Sequence, residues 1–477
     1  MRLRAVIFTE GGKRIGFGHI TRCIALRDAL TEIGIDAFLF VNGDNSARRQ
    51  FGKQLNSVFD WLKDQGRVRS ELKKADIVIV DSYLAPRSFY KNVSEQVPVP
   101  VFLDDFKRLA YPEGIILNGA IGTEKLRYGF RALPLLLGSR FALLRKNFWK
   151  VGHRTVRTKF RDLLLTFGGM ERTGFIQQLL TRLSLSFPQY RFHVITAYPF
   201  PNKRAFPRAH FYRSLSGSQI KALMLRCDAA ISGGGQTTNE LAACGLPVIG
   251  VRFASNQRLN LLGWRKTGLL KEAGSHEDPK IIGNIALLLH RLDHRSRSRM
   301  SRAGQKAVDG RGALRSAKAL CDAVIRFQPV RAADRALIYH WSSAPEVRAV
   351  SFHSAQILWK EHCRWFNEKL RDPDCLFLKA VLRDRTIGQI RFDARGERAT
   401  ISVVLAPQYR GKGLAARVLR AAVHQVLRTR SEIKMVDAFI KKENHASVKA
   451  FQKAGFRPLN IKNIHGQEAW HFVQDQL

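Results

Sequence analysis

At 477 residues the chain exceeds what one ordinary hydrophobic core can serve, and an apolar share of 45% against 25% charged residues excludes a chain dominated by disorder. Eighty Lys and Arg against 39 Asp and Glu leave a formal net charge of +41, which favours anionic partners. The cations are spread along the chain with no zinc-finger spacing, Arg-Gly repeat or aromatic-basic motif, so no specific nucleic-acid site is expected, only a loose attraction to an anionic membrane surface.

In chain order, Ala5-Val6-Ile7-Phe8 is closed by Glu10 and Gly11; it is too short for the apolar part of a signal peptide and reads as a buried strand. A helix with apolar periodicity through Ile24, Leu26 and Leu30 follows, then strands at residues 37–41, 77–80 and 99–103, the last two running into Asp81 and into Asp104-Asp105. Short β-branched runs separated by helices predict a doubly wound parallel sheet, with function at the C-terminal ends of the strands. The pattern restarts at residues 162–167, ahead of Gly168-Gly169, and continues at 192–195, 229–231 and 247–251, which predicts a second Rossmann-like unit facing the first across a cleft. After Phe327-Gln328-Pro329-Val330 the texture changes, and residues 375–381, 386–392 and 400–405 read as consecutive antiparallel strands before a helix. The expected fold class is α/β, two Rossmann-like domains at 1–155 and 156–328 followed by an α+β domain at 329–477. Cys23, Cys227, Cys244, Cys321, Cys363 and Cys375 form no C-x-x-C pair, which fits free thiols in a cytoplasmic protein. No apolar stretch approaches the ~18 to 20 residues of a membrane span.

Two glycine turns feeding helices carry the chemistry. In Ile15-Gly16-Phe17-Gly18-His19-Ile20-Thr21-Arg22 the glycines permit a sharp turn and close backbone approach to a ligand. His19 falls at the start of the following helix, where the dipole favours neutral imidazole and so a base able to take a proton from water. The alternative is a turn whose His merely caps the helix. A second element, Ser232-Gly233-Gly234-Gly235-Gln236-Thr237-Thr238-Asn239-Glu240-Leu241, also follows a strand and opens a helix, with Asn256-Gln257 farther on. Glycines followed by Thr suit a diphosphate, and a carboxylate one helical turn in suits ribose hydroxyls.

This ensemble resembles the UDP-sugar hydrolase of pseudaminic-acid biosynthesis, a GT-B relative of the glycosyltransferase that makes lipid II. The family shows I-G-x-G-H-x-x-R, a strand ending in Asp with Tyr two positions on, a strand-then-glycine loop, a G-G-G-x-T-x-x-E helix and an N-Q pair. Here these are residues 15–22, Asp81-Ser82-Tyr83, Phe167-Gly168-Gly169, residues 233–240 and Asn256-Gln257. The resemblance implies that His19 activates water while Tyr83 and Asn256 position the sugar, that Glu240 holds the uridine ribose, and that Gly16, Gly18, Gly168, Gly169, Gly234, Gly235, Thr237 and Gln257 complete the UDP site. Water would attack the anomeric carbon with inversion, and with no D-x-D-like pair no metal is expected. Where the family carries Arg-x-Asp ahead of its first turn, this chain reads Thr9-Glu10-Gly11-Gly12-Lys13-Arg14 with one residue fewer, which leaves the identity of the sugar open.

The second turn, Gln408-Tyr409-Arg410-Gly411-Lys412-Gly413-Leu414-Ala415, follows a strand and starts an amphipathic helix; Asn444-His445-Ala446-Ser447 and Phe451-Gln452-Lys453-Ala454-Gly455-Phe456 come after it. These resemble the Q-x-x-G-x-G and N-x-x-S…K-x-G-F elements of GNAT acetyltransferases. His340-Trp341, Pro345-Glu346-Val347-Arg348, His362 with Trp365-Phe366, and residues 387–392 look like the sugar-nucleotide N-acetyltransferase of the same pathway, although Trp365 and Phe366 also suit plain core. The resemblance implies acetyl-CoA as co-substrate, held by Val404, Leu405, Gln408, Arg410, Gly411, Lys412, Gly413, Leu414, Ala415, Asn444 and Lys453. Many GNAT enzymes have a Tyr general acid where this chain has Phe451, so no general acid is assigned.

Together the two resemblances imply a bifunctional enzyme that acetylates a UDP-4-amino-sugar and hydrolyses the UDP-diacetamido-sugar to free sugar and UDP. A GT-B glycosyltransferase fused to an acetyltransferase, and a basic nucleic-acid-associated protein with an acetyltransferase domain, are the alternatives the sequence leaves open.

Overall fold

A computed structural model describes residues 1–477 apart from 1, 14, 130–132, 169–171, 197, 214 and 476–477, and apart from the side chain of Asn256. The chain divides into two compact units, Met1–Leu320 and Cys321–Leu477. Among the described residues no helix is long and apolar enough to cross a membrane.

The first unit holds two parallel sheets. One consists of β1 (Arg4–Gly11), β2 (Asp36–Gly43), β3 (Ser57–Val58), β4 (Ile77–Asp81), β5 (Val99–Leu103), β6 (Ile115–Asn118) and β7 (Leu135–Leu137), in the order β3-β2-β1-β4-β5-β6-β7. The order reverses direction at β1/β4, where Thr9 stands opposite Asp81, and a crevice opens at such a switch point beyond the strand ends. The strands are near-continuous apolar runs because helices cover both faces: Val6, Phe8, Val78 and Val80 point into one core with Trp61, Phe89 and Tyr90, while the alternate residues Ala5, Ile7, Ile77 and Ile79 are equally buried.

The other sheet consists of β8 (Asp162–Thr166), β9 (Arg191–Ile195), β10 (Ala209–Tyr212), β11 (Ala229–Gly233), β12 (Val248–Arg252) and β13 (Leu270–Ser275), in the order β10-β9-β8-β11-β12-β13. Leu163 and Leu165 enter one core and Leu164 the other, as in a sheet wound on both sides. Ala142, Leu144 and Phe148, from the stretch that leaves the first sheet, pack into the core with Leu164 and so tie the two sheets into one body.

The second unit is built on one mixed sheet of β14 (Arg326–Pro329), β15 (Cys375–Leu382), β16 (Arg385–Arg395), β17 (Arg398–Leu405), β18 (Met435–Lys441), β19 (Arg457–Ile464) and β20 (Gln467–Gln474). Its order is β14-β15-β16-β17-β18-β20-β19, antiparallel except for the pair β17/β18. The boundary expected at 328/329 falls inside β14, which pairs with β15; the Pro at 329 sits at the end of an edge strand, where it ends a strand rather than a domain.

Candidate active site

β1 leads into a tight loop in which Gly12 and Gly16 exchange backbone hydrogen bonds at 2.7 and 3.1 Å, and Gly16 takes φ +87°. The helix Gly18–Glu32 starts directly after it with no side-chain cap. His19 is therefore not a cap. Its Nδ1 lies 2.7 Å from Asp81 Oδ1, at the buried end of β4.

One helical turn on, Arg22 forks both oxygens of Asp81 at 2.6 and 2.7 Å and reaches Asp105 at 2.6 and 3.1 Å. Burial pushes the Asp81 carboxyl up, but Arg22 and His19 more than offset this and hold it well below the usual carboxylate range. Burial likewise opposes the Arg22 charge, and Asp105 and Asp81 outweigh it. An ionised Asp81 at 2.7 Å calls for a donor from the ring, so in the neutral imidazole Nδ1 carries the proton and Nε2 the lone pair. Arg22 Nη2, although 3.1 Å from Nδ1, gives its hydrogens to Asp81 and Asp105 instead.

Tyr83 packs edge-on against the imidazole, ring centroids 4.7 Å apart at 85°, and its hydroxyl donates to Asp105. Burial and the Asp105 charge push the phenol well above its ordinary value, so it stays protonated.

His19, Tyr83, Arg22, Asp105 and Gly18 line a cavity of about 440 Å³. Gly234, Gly235, Gln236, Asn239, Gln257 and Asn260 line it from the second sheet's side, and Lys125 and Lys266 contribute exposed cations. At Gly234 a Cβ would stand 2.8 Å from Leu261 Cγ, so the turn closes there only as glycine. Gln257 Oε1 accepts the N–H of Phe253 at 2.9 Å, bracing the turn after β12.

Several expected UDP ligands are not at this cavity. Gly16, Gly168, Thr237 and Glu240 are not among its lining residues, Gly169 lies outside the described residues, and Asn256 sits in the turn Ser255–Gln257 with its side chain outside them. The carboxylate of Glu240 is buried and gripped by Arg145 Nε and Nη2 at 2.8 and 2.9 Å. Burial pushes its pKa up, against the pull of Arg145. Sequence reasoning did not assign Asp81, Arg22 or Asp105 a role. The available signal was that adjacent parallel strands both run into Asp while Arg22 follows His19 by one helical turn. Among the described residues no three or more His, Cys, Asp or Glu side chains stand together as a metal site.

In the second unit β17 pairs with β16 from Arg398 to Leu405, but with β18 only at residues 398–400 against 435–437. Past Thr400 the two parallel strands part, and residues 401–405 run on without a strand on that side. The chain then turns through Pro407–Tyr409, Arg410 Nε donates to Leu405 O at 3.0 Å, and Gly411 and Gly413 both take φ +71° before the helix Leu414–Thr429. The first N–H groups of that helix have no intrahelical acceptor and lie where an anion could meet them. Asn444 Oδ1 accepts the N–H of Ser447 at 3.1 Å, capping the helix His445–Ala454.

The aromatic side chains left ambiguous by sequence are packed into or against the core, Trp365 half-buried. Phe451 packs on Phe456 with centroids 4.9 Å apart, Phe366 is fully buried, and Trp365 lies under Arg391 at 5.2 Å. His362 is buried with Nε2 3.2 Å from Arg335 O, and burial pushes its pKa down.

These features meet known proteins in two places. Residues 325–457 match the acetyltransferase (GNAT) domain family. The "Pseudaminic acid cytidylyltransferase and UDP-2,4-diacetamido-2,4,6-trideoxy-beta-L-altropyranose hydrolase" of Helicobacter pylori is 26% identical over 278 residues, 57% of this chain. The match spans 48% of that protein, about half its length. The "Uncharacterized protein MJ1062" of Methanocaldococcus jannaschii is 22% identical over 95% of this chain and 97% of its own. The "Spore coat polysaccharide biosynthesis protein SpsG" of Bacillus subtilis is 22% identical over 66% of this chain and 97% of its own. Among solved structures, the aminoglycoside acetyltransferase AAC(6')-Ib with ribostamycin and coenzyme A is 17% identical over 32% of this chain and 93% of its own. Its TM-score is 0.30. A GNAT domain at the C-terminus, together with similarity to a pseudaminic-acid-pathway enzyme, is consistent with a fusion of two activities.

Proposed function

We propose that the first unit is a GT-B hydrolase that cleaves a UDP-linked diacetamido-trideoxy sugar to free sugar and UDP, and that the second acetylates the 4-amino group of a UDP-amino-sugar with acetyl-CoA. The observation that carries the first half is the imidazole of His19, tied through Nδ1 to ionised Asp81 and set on a cavity shared with the Gly234-Gly235 turn. The parallel sheets joined in one unit, and the named hydrolase among the relatives, support the reading.

In this reading His19 Nε2 takes a proton from water as the water oxygen bonds to the anomeric carbon. The C–O bond to UDP breaks with inversion, and the electron pair leaves on the β-phosphate. Asp81 stabilises the imidazolium that forms, as an orienting carboxylate does. The Gly234-Gly235 turn and the cations Lys125 and Lys266 are suited to receive the developing phosphate charge. Tyr83 and Asn256 are the proposed sugar contacts, with Glu240 at the ribose sharing its carboxylate with Arg145.

For the second half, the family match supports acetyl-CoA as co-substrate. The parted edge of β17 offers N–H groups near Val404 and Leu405 to the thioester carbonyl, and the turn from Gln408 to Ala415 offers N–H groups to the pyrophosphate. The amine nitrogen bonds to the acetyl carbon, the C–S bond breaks, and the proton lost by the amine leaves with the thiolate or solvent.

Incubating the UDP-linked 2,4-diacetamido-2,4,6-trideoxy sugar with the protein and no acceptor tests the first half. Release of free sugar and UDP, lost in His19→Ala, is expected; release only on addition of an acceptor hydroxyl would make the unit a glycosyltransferase.

A further inference from the structure

Glu10, the penultimate residue of β1, is fully buried, and among the described residues no cation pairs with it. A buried carboxylate without a countercharge persists only where donors replace its water. Among the described residues its donors come from one short segment. Ser82 Oγ donates to Oε2, the N–H of Tyr83 donates to Oε1 at 2.7 Å, and that of Leu84 to Oε2 at 3.3 Å. Ser82 Oγ in turn accepts the N–H groups of Leu84 and Ala85 at 3.0 and 2.9 Å. The Ser82 carbonyl accepts from Tyr90 Oη at 2.7 Å and from Arg108 Nη2 at 2.8 Å.

The strand that precedes His19 thus pins the backbone that carries Tyr83. Glu10 itself is not among the residues lining the cavity, whereas Tyr83 and His19 are. We infer that Glu10 is a positioning residue: it fixes the Tyr83 ring edge-on to His19 and so sets the wall against which the sugar is held, without touching the sugar. The stretch where this chain departs from the hydrolase pattern is then a strut behind the site. The inference rests on the proposed roles of His19 and Tyr83.

The test uses the full chain, Glu10→Gln and Ser82→Ala, each alone and with Tyr83→Ala. Amide exchange of the Ser82–Ala85 segment and UDP release from UDP-2,4-diacetamido-2,4,6-trideoxy-β-L-altropyranose are both measured. In Glu10→Gln the exchange of the Tyr83 and Leu84 amides should quicken about 10-fold while the thermal midpoint moves little. The kcat for UDP release should fall roughly 10- to 100-fold, and in the Tyr83→Ala background the same substitution should change it less than about threefold. Ser82→Ala should move both readouts in the same direction, which keeps the test available if Glu10→Gln folds poorly. Unchanged exchange of the segment, or a loss that adds in full to that of Tyr83→Ala, overturns the strut. A parent protein that releases no UDP overturns the proposed hydrolysis, and the exchange measurement still decides the strut.

Discussion

Asp81 and His19, 62 positions apart in the chain, meet at 2.7 Å because β1 and β4 are parallel neighbours and the helix after β1 starts over the end of β4. The carboxylate is buried, ionised and shared with Arg22, so it fixes both the tautomer and the direction of the ring. Asp81→Asn can present an N–H to Nδ1 and so favour the wrong tautomer. UDP release should fall by ~10² to 10⁴ with the fold intact, a loss of the size seen when such an orienting carboxylate is removed. A His19→Ala/Asp81→Asn double variant should be no slower than His19→Ala alone; additive losses would show that the two act separately.

Arg145 and Glu240 form a buried fork between the stretch leaving the first sheet and the helix after β11. Removing only the cation, as in Arg145→Met, strands a carboxylate whose pKa burial already raises, and should cost roughly 3 kcal/mol or more in urea unfolding. Arg145→Met with Glu240→Leu should recover most of that loss. No recovery would mean that Arg145 acts through other contacts.

The elements legible in the sequence are those whose physics is local. Apolar runs at residues 77–80, 99–103 and 162–167 became buried central strands, and the paired glycines near Gly16, Gly234 and Gly413 became turns before helices. Other strands were not read: β13 carries Lys271, Glu272 and Gly274, β19 is exposed along nearly its whole length because it is an edge, and the apolar β6, β7 and β18 were passed over as well. The partners of His19 were missed for a different reason. Asp81 reaches it directly, and Asp105 through Arg22 and Tyr83, only by strand order and register, which no single window of sequence contains. The Arg145 that grips Glu240 was out of reach in the same way, since it lies 95 positions away.

Asp162, fully buried at the start of β8, bonds to Arg191, His193 and Arg157 at 2.8, 2.8 and 3.0 Å. Burial raises its pKa, but these donors bring it down to about 2. Because the folded value lies below the unfolded value of about 3.9, the stabilisation is complete above about pH 4 and is lost as the pH falls toward about 2. Asp162→Asn should lower stability at neutral pH by about 3 kcal/mol and flatten the acid limb of the urea midpoint. Parallel acid limbs in parent and variant would assign that limb to other carboxylates.

Gly413 holds φ +71° immediately before the helix Leu414–Thr429, a conformation a β-branched residue resists. Gly413→Val should weaken coenzyme A binding at least ~10-fold, since the turn can no longer present consecutive amides to the pyrophosphate. UDP release by the first unit should stay unchanged. Titration calorimetry with coenzyme A, beside the UDP-release assay, separates the two sites; loss of both activities together would contradict their independence.

In the proposed reaction water, primed by His19, attacks the anomeric carbon. Hydrolysis of the UDP-diacetamido sugar in water enriched in oxygen-18, with mass spectrometry of the released UDP, tests it most directly. The released UDP should be free of the label, because its β-phosphate oxygen leaves with the electron pair of the broken C–O bond. Oxygen-18 in the β-phosphate would place the attack on phosphorus and contradict it.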